Sequence, residues 1–391
     1  MSSDPESPHS QAVDYIANPC FHQRLTLPAT TDHEELTFSY AVIGRDARPT
    51  DGQPHPPTIL LMPGMFASRY LGLPMHAVAK KLGVCVLVVD RPGMGSSTDV
   101  PLEQRVPVWV ELVPQLLAHL GIEHVALVSH SAGAIYLLNT LYHCRGLLDP
   151  ERPFVAFMAT APWVDPIHSH MTSIRFLQYI PVPAFSFWNQ IPRFFHTKAG
   201  PAFASSGAVV KKLSNAVTFS NPSGDGGSPP GDDSQQQRNR QRMETEYGLP
   251  RAVQTELDVL VFRSMFEENT LGANSEALQC LRKGPGVTWG KCDDYGVFVA
   301  DLVVRERERA ASGDRRAKLK IRAYFAQDDD MIGKKGQQYM EECWRGKEDG
   351  DLRDVIDFES TVVEGVDHDT LVYSLETLER IFIEAGGVRG L

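Results

Sequence analysis

Val125-Ala-Leu-Val-Ser-His-Ser-Ala-Gly-Ala-Ile-Tyr136 joins a strand pattern to a helix pattern with almost nothing between them. Val125–Val128 is a short apolar run of the kind buried strands carry, and Ala132–His143 reads as the helix that follows. A chain that turns directly from strand into helix holds the corner residue in a strained conformation, and the positions two before and two after it must be small. Ser129 and Gly133 meet that condition. Ser131 then stands above the strand end with its hydroxyl exposed near a helix N-terminus. Most serines in turns are only turn or cap residues; this strand–turn–helix setting makes Ser131 the candidate nucleophile. The adjacent His130 is expected to pack rather than act as a base, because neighbouring residues at such a corner point apart.

Outward from this segment the alternation continues in both directions. His22–Leu27 and Leu36–Ile43 read as strands, and Thr58–Met62, Val84–Val89 and Phe154–Ala159 are further apolar runs. Between them, Val108–Leu120 places Trp109, Leu112, Val113, Leu116, Leu117 and Leu120 on one helical face. Late in the chain, Leu319–Ala326 and Val355–Val363 read as strands, Lys334–Trp344 as a helix between them, and Thr370–Ala385 as a closing amphipathic helix. Short apolar runs alternating with helical segments are the pattern of a parallel sheet wound with helices. The expected fold class is α/β, a mostly parallel central sheet with helices on both faces.

Two regions depart from that pattern. Residues 1–20 are polar and rich in Ser and Pro and are expected to form a flexible arm. From 166 to 290 the strand–helix alternation stops, and Phe176, Tyr179, Phe185, Phe187, Trp188, Phe194 and Phe195 crowd together. This region reads as an inserted helical cap with a core of its own, able to serve as a lid over an apolar pocket. Within it, residues 221–246 (NPSGDGGSPPGDDSQQQRNRQRMETE) have almost no apolar side chain and are expected to be disordered. The division expected is thus an arm at 1–20, a core at 21–165 and 291–391, and a cap at 166–290.

Composition narrows the function. The 391 residues carry 38 Lys and Arg against 49 Asp and Glu, 38 − 49 = −11, which argues against nucleic acid as a partner. No run approaches about 18 consecutive apolar residues, so no membrane span is expected. The opening MSSDPESPHSQ lacks the basic and apolar regions of a signal peptide, and the final Arg-Gly-Leu is not the peroxisomal tripeptide. The six cysteines are scattered, with no CxxC pair and no metal-ligand spacing, so free thiols in the cytoplasm are expected. RERER at 305–309 reads as a solvated helix face, and QRNRQR at 237–242 is weak as a nuclear address.

Two glycine turns sit beside the serine corner in the order of the chain. Leu60-Leu-Met-Pro-Gly-Met-Phe66 is a strand ending in Pro-Gly, a turn able to present the Met65 amide to an oxyanion. The Ala132 amide, just after the nucleophile, is the second expected donor. Val88-Val-Asp-Arg-Pro-Gly-Met-Gly-Ser96 is a strand entering a glycine-rich turn, without the GxGxxG spacing or the lysine of a phosphate loop. Arg91 within it reads as a substrate-positioning group or an ordinary surface ion-pair partner, and the second is the expectation.

PGMF, DRPGMGSS and SHSAG, in this order and spacing, resemble the α/β-hydrolase superfamily, above all its members with a helical cap inserted after the sixth strand. The resemblance spans residues from about 36 to 165 and from about 318 to 385, and Ser129 replaces the usual first glycine of the serine motif. It implies a triad in the order serine, acid, histidine. Arg322-Ala-Tyr-Phe-Ala-Gln-Asp-Asp-Asp-Met-Ile-Gly333 resembles the family's GxxDxxV segment, with Ala326 at the glycine position, Asp329 as the acid and Ile332 as the aliphatic residue. Asp328 and Asp330 remain alternatives, and Asp165 in APWVDP is an outside candidate, since some members place the acid there. His368, in Val362-Val-Glu-Gly-Val-Asp-His-Asp-Thr-Leu371, falls where the family carries its base.

The chemistry this implies is hydrolysis of a carboxylic ester or lactone of a small-to-medium apolar substrate, through an acyl-serine, with neither metal nor organic cofactor. The same triad serves C–C bond hydrolysis, thioester hydrolysis or acyl transfer, and a slow-turnover receptor is a reading from another class. Epoxide hydrolases and haloalkane dehalogenases are disfavoured, because they carry Asp where Ser131 stands.

Overall fold

Eight strands form one sheet in the order β1-β2-β4-β3-β5-β6-β7-β8. They are β1 (Gln23–Leu27), β2 (Leu36–Gly44), β3 (Thr58–Met62), β4 (Cys85–Val89), β5 (Ala126–His130), β6 (Phe154–Met158), β7 (Leu319–Asp328) and β8 (Ile356–Asp367). The computed structural model describes residues 7–48, 55–158, 163–190, 232–313, 317–346 and 352–388. Strands β3 to β8 run parallel, while β2 is antiparallel to both β1 and β4. Every residue of β3, β4, β5 and β6 is buried, as continuous apolar strands covered on both faces should be.

The winding explains where a site can form. The chain passes from β3 to β4 on one side and returns to β5 on the other, so the strand order switches direction beside β3. Loops leaving the carboxyl ends of two strands at such a switch diverge and leave a crevice. The register pairs Met62 with Ser129 across β3 and β5, which brings the Pro63-Gly64-Met65 turn alongside the Ser131 corner.

The helices are α1 (Pro8–Ile16), α2 (His76–Lys81), α3 (Arg105–Leu120), α4 (Gly133–His143), α5 (Pro166–Ser169), α6 (Thr172–Leu177), α7 (Asp232–Tyr247), α8 (Arg251–Glu267), α9 (Gly272–Cys280), α10 (Tyr295–Ser312), α11 (Gly333–Arg345) and α12 (Leu375–Glu384). The face expected for α3 is buried along its length, from Trp109 to Leu120. Helices α5 to α10 lie between β6 and β7 in the chain. Among the described residues no helix is long and apolar enough to cross a membrane.

Several local expectations are corrected. Residues 8–16 form a helix rather than a loose arm: Ser7 caps it by accepting from the Ser10 N–H, and Pro8 opens it. Ala12 is fully buried, and Tyr15 packs on Phe21 and His76. Residues 232–246 of the stretch expected to be disordered belong to α7, and Arg242 there pairs with Glu379 of α12 at 2.6 Å; residues 221–231 lie outside the described residues. The RERER face is not wholly solvated, because Glu306 is buried and holds Arg145 through two bonds of 2.7 and 3.0 Å. Of the aromatic cluster, Phe185 and Trp188 are buried, whereas Tyr179 and Phe187 are exposed; Phe194 and Phe195 lie outside the described residues.

Candidate active site

Ser131 occupies the corner between β5 and α4 with φ +49°. A non-glycine residue in this region stores about 1–3 kcal/mol of strain, which neighbouring structure must hold. Here β5 is paired on both sides, and α4 follows at once with residues 133–141 all buried. Gly133 explains the demand for a small residue: a Cβ there would lie 2.2 Å from the Met62 carbonyl oxygen and 2.7 Å from that of Pro63. Ser129 is accommodated with its hydroxyl buried and without a partner among the described residues.

His368 reaches the corner from the far end of the chain. Its Nε2 lies 2.9 Å from Ser131 Oγ, and its Nδ1 lies 3.3 Å from Asp329 Oδ1. The sheet arranges this meeting. After a break in register, β7 and β8 pair once more through Asp328 and Asp367, so the next residue on each strand is Asp329 and His368. Asp329 Oδ1 also accepts from the Met331 and Ile332 amides at 2.7 and 2.9 Å, which fixes the carboxylate towards the ring. Asp328 and Asp330 are exposed. Asp165 is engaged elsewhere: it caps α5 by accepting from the Ile167 N–H at 3.0 Å and pairs with Arg282 at 2.5 Å.

The two histidines are driven in opposite directions. Burial pulls the His368 imidazolium down, but the Asp329 carboxylate and its hydrogen bond outweigh this, so its pKa is raised above the ordinary 6.5. His130 is buried with no carboxylate bonded to it among the described residues. Burial first and the neighbouring His368 second push it down to about 3. The His130 ring lies 5.7 Å from the His368 ring, its Nε2 is 3.3 Å from the His368 carbonyl oxygen, and its Nδ1 has no partner among the described residues. His130, His368 and Asp369 each offer an atom within 4.8 Å of the others, as a metal site would need. Both ring nitrogens of His368 already face Ser131 and Asp329, so a metal there would displace those contacts.

The Pro63-Gly64-Met65 turn is held by a residue whose setting the sequence did not reveal. Arg91, expected at the surface, is fully buried. Its guanidinium donates to the Pro63 carbonyl and, at 2.8 Å, to the Gly64 carbonyl, while its Nε and Nη2 edge grips both carboxylate oxygens of Glu276 of α9. Glu276 is also bonded by Arg105 at 3.1 Å. One buried carboxylate thus serves two buried guanidinium groups, of which Arg105 also reaches Asp99 at 3.4 Å, and an α9 residue is tied to the turn beside Ser131. The motif around Arg91 was legible, but Glu276 lies in a segment with no periodic or motif signal. Neither the Met65 nor the Ala132 N–H has a backbone acceptor among the described residues.

Two cavities share the Met65–Phe66 wall, and of the two it is the smaller that Ser131 lines. A void of about 20 Å³ lies on Ser131, walled by Trp163, Leu177, Trp188, Leu281 and Met331. A second, of about 530 Å³, lies between α7, α8 and the loop after β8, and Met65 and Phe66 line both.

The sequence profile described as "Alpha/beta hydrolase family" matches residues 59–374. No curated protein matches the chain in sequence. Solved structures of similar shape include an epoxide hydrolase from Vigna radiata, 14% identical, with 93% of this chain and 97% of that chain covered and a TM-score of 0.51. A laboratory-evolved variant of potato epoxide hydrolase is 15% identical, with 93% and 98% covered and a TM-score of 0.50. A hydrolase from a Medee basin deep-sea metagenome library is 12% identical, with 94% and 98% covered and a TM-score of 0.50. At such identities the likeness is one of fold.

Proposed function

The chain belongs to the alpha/beta hydrolase family, and from that premise we propose that it is a serine hydrolase cleaving a carboxylic ester or lactone through Ser131, His368 and Asp329. The observation that carries this reading is the contact of 2.9 Å between Ser131 Oγ and His368 Nε2 at a strained corner, with the other ring nitrogen turned to a carboxylate. A serine hydroxyl is a weak nucleophile without a base, and the base is useful only in one tautomer. Asp329 holds that tautomer and stabilises the imidazolium as it forms.

In the proposed reaction His368 takes the Ser131 proton while Oγ bonds to the acyl carbon. The carbonyl oxygen gains the negative charge and is met by the Met65 and Ala132 amides, each such donor being worth about 2.7–4 kcal/mol in the transition state. As the ester C–O bond breaks, His368 Nε2 returns the proton to the leaving oxygen. Water then attacks the acyl-serine with the same base, releasing the acid. Ser131 stands where epoxide-opening members of the fold carry Asp, which disfavours an alkyl-enzyme route. The apolar walls beside Ser131 favour an apolar acyl group.

The test is labelling of the purified protein with a fluorophosphonate, followed by intact mass and peptide mapping. A single adduct on Ser131, lost in His368→Ala and in Ser131→Ala, is the expected result. Turnover of esters by Ser131→Ala near the parent rate would place the nucleophile elsewhere.

A further inference from the structure

We infer that the substrate is the ester of a very short acyl group, acetyl by preference, with a bulky amphipathic alcohol that carries no negative charge. The inference rests on the serine-hydrolase reading and sharpens it to a substrate class. Its ground is the unequal size of the two cavities and the side of the base on which each lies.

The direction of proton transfer fixes which half of the ester goes where. The proton that leaves Ser131 is returned by His368 Nε2 to the oxygen of the departing alcohol, so that oxygen lies on the His368 side. The larger cavity is walled on that side by Gly365, Val366 and Asp367 at the end of β8 and by Asp369 and Thr370 after it, the residues that flank His368. None of these residues lines the smaller cavity, which has Met331 of the Asp329 turn instead. The alcohol therefore faces the larger cavity and the acyl chain the smaller one.

Volume then sets the limits. A cavity needs about 10–15 Å³ to admit one water-sized sphere. The void on Ser131, about 20 Å³, has room for one methyl group. Its walls are bulky and packed: Trp163, Leu177, Trp188 and Leu281 are all buried. Trp188 is held in place, with its Nε1 3.4 Å from Met65 Sδ and its ring stacked near Phe66. The other cavity, about 530 Å³, falls within the 300–1,000 Å³ that ligand-sized groups occupy. Met243, Leu257, Val261 and Met265 give it an apolar side, and Gln235, Asn239 and Thr370 a polar one. Its charged residues are Arg240, Asp258, Asp367 and Asp369, 1 − 3 = −2, and Arg240 is taken up by Asp258 at 2.5 Å. A carboxylate or sulfonate on the alcohol would meet like charge.

The experiment compares kcat/KM of the full chain across two ester series. With 4-nitrophenol as the leaving group, acetate should exceed butyrate by at least about tenfold, and octanoate should be slower still, since one methylene in an apolar pocket decides about 10–200-fold. With acetate fixed, 4-methylumbelliferyl acetate should be turned over well and the trisulfonated acetoxypyrene poorly. Leu177→Ala with Leu281→Ala should raise the butyrate-to-acetate ratio about tenfold. Val261→Trp, which fills the larger cavity, should slow umbelliferyl acetate relative to 4-nitrophenyl acetate. If the protein labels at Ser131 but prefers octanoate, or if Val261→Trp leaves the ratio of the two acetates unchanged, the inference fails while the serine-hydrolase reading stands. If Ser131 is not labelled and no ester turns over, both fail together.

Discussion

Asp329 and Asp165 make opposite use of the same functional group, and that difference is measurable one residue at a time. Asp329→Asn keeps the shape but removes the charge facing His368, and loss of the correct tautomer should lower kcat by about four orders of magnitude. Asp165→Asn touches only the α5 cap and Arg282, and should change the rate by no more than a few-fold. The reverse ranking would move the acid to Asp165. The pH profile offers a second check. His368 acts as a base only when neutral, and its pKa is raised, so kcat/KM should climb with pH through a midpoint above 6.5. Taking away the Asp329 carboxylate removes what raises it, so any residual activity of Asp329→Asn should climb at lower pH.

At the scale of elements, α9 is fastened to the sheet loops by charge rather than by apolar contact alone. Glu276 is 1% exposed and faces Arg91 and Arg105, neither of which is exposed at all. Glu276→Gln would leave Arg91 buried without its counter-charge and Arg105 with only the half-exposed Asp99 at 3.4 Å, and unpairing a buried charge costs about 3–5 kcal/mol. Urea unfolding of Glu276→Gln should show a loss of that size. Arg307→Gln, which breaks the half-exposed pair with Asp354, should cost no more than about 1 kcal/mol. Equal losses in the two variants would show that the Arg91 cluster is not the fastening. Arg91 also holds the Pro63 and Gly64 carbonyls just before Met65, so the stability loss in Glu276→Gln should come with a lower kcat.

For the whole molecule, the two buried histidines shape stability against pH with opposite signs. His130 has a folded pKa of about 3 against about 6.5 unfolded, so the unfolded chain binds the extra proton between those values. Its contribution is present above about pH 6.5 and is lost as pH falls towards 3, with a slope approaching about 1.4 kcal/mol per pH unit. His368 is raised, so its contribution is present below about 6.5 and is lost as pH rises through its folded value. His130→Asn should flatten the acid side of the stability curve measured by urea midpoints from pH 4 to 7. An unchanged acid slope would place the destabilising proton on another group.

Covalent neighbours and periodic patterns carried most of the fold and part of the site. Apolar runs of strand length alternating with helical faces settle a parallel sheet, because only burial on both sides makes such runs stable in water. Ser131 and the Met65 turn are legible because strained turns admit few residue types, and His368 because its segment resembles the one where the family carries its base. What the sequence could not settle is what depends on distant partners. The GxxDxxV resemblance favours Asp329, but Asp328 and Asp330 fall behind it only once the β7–β8 register brings Asp329 beside His368. Arg91 and Glu306 pass for surface charges until Glu276, 185 residues later, and Arg145, 161 residues earlier, remove the cost of burying them. The helix at 232–247 looks like a polar linker until Arg242 finds Glu379 on another helix. Local patterns fix which backbone forms; the pairing of charges, and with it which carboxylate faces His368 and the shape of the two cavities, is decided only when segments far apart in the chain come within about 3 Å of each other.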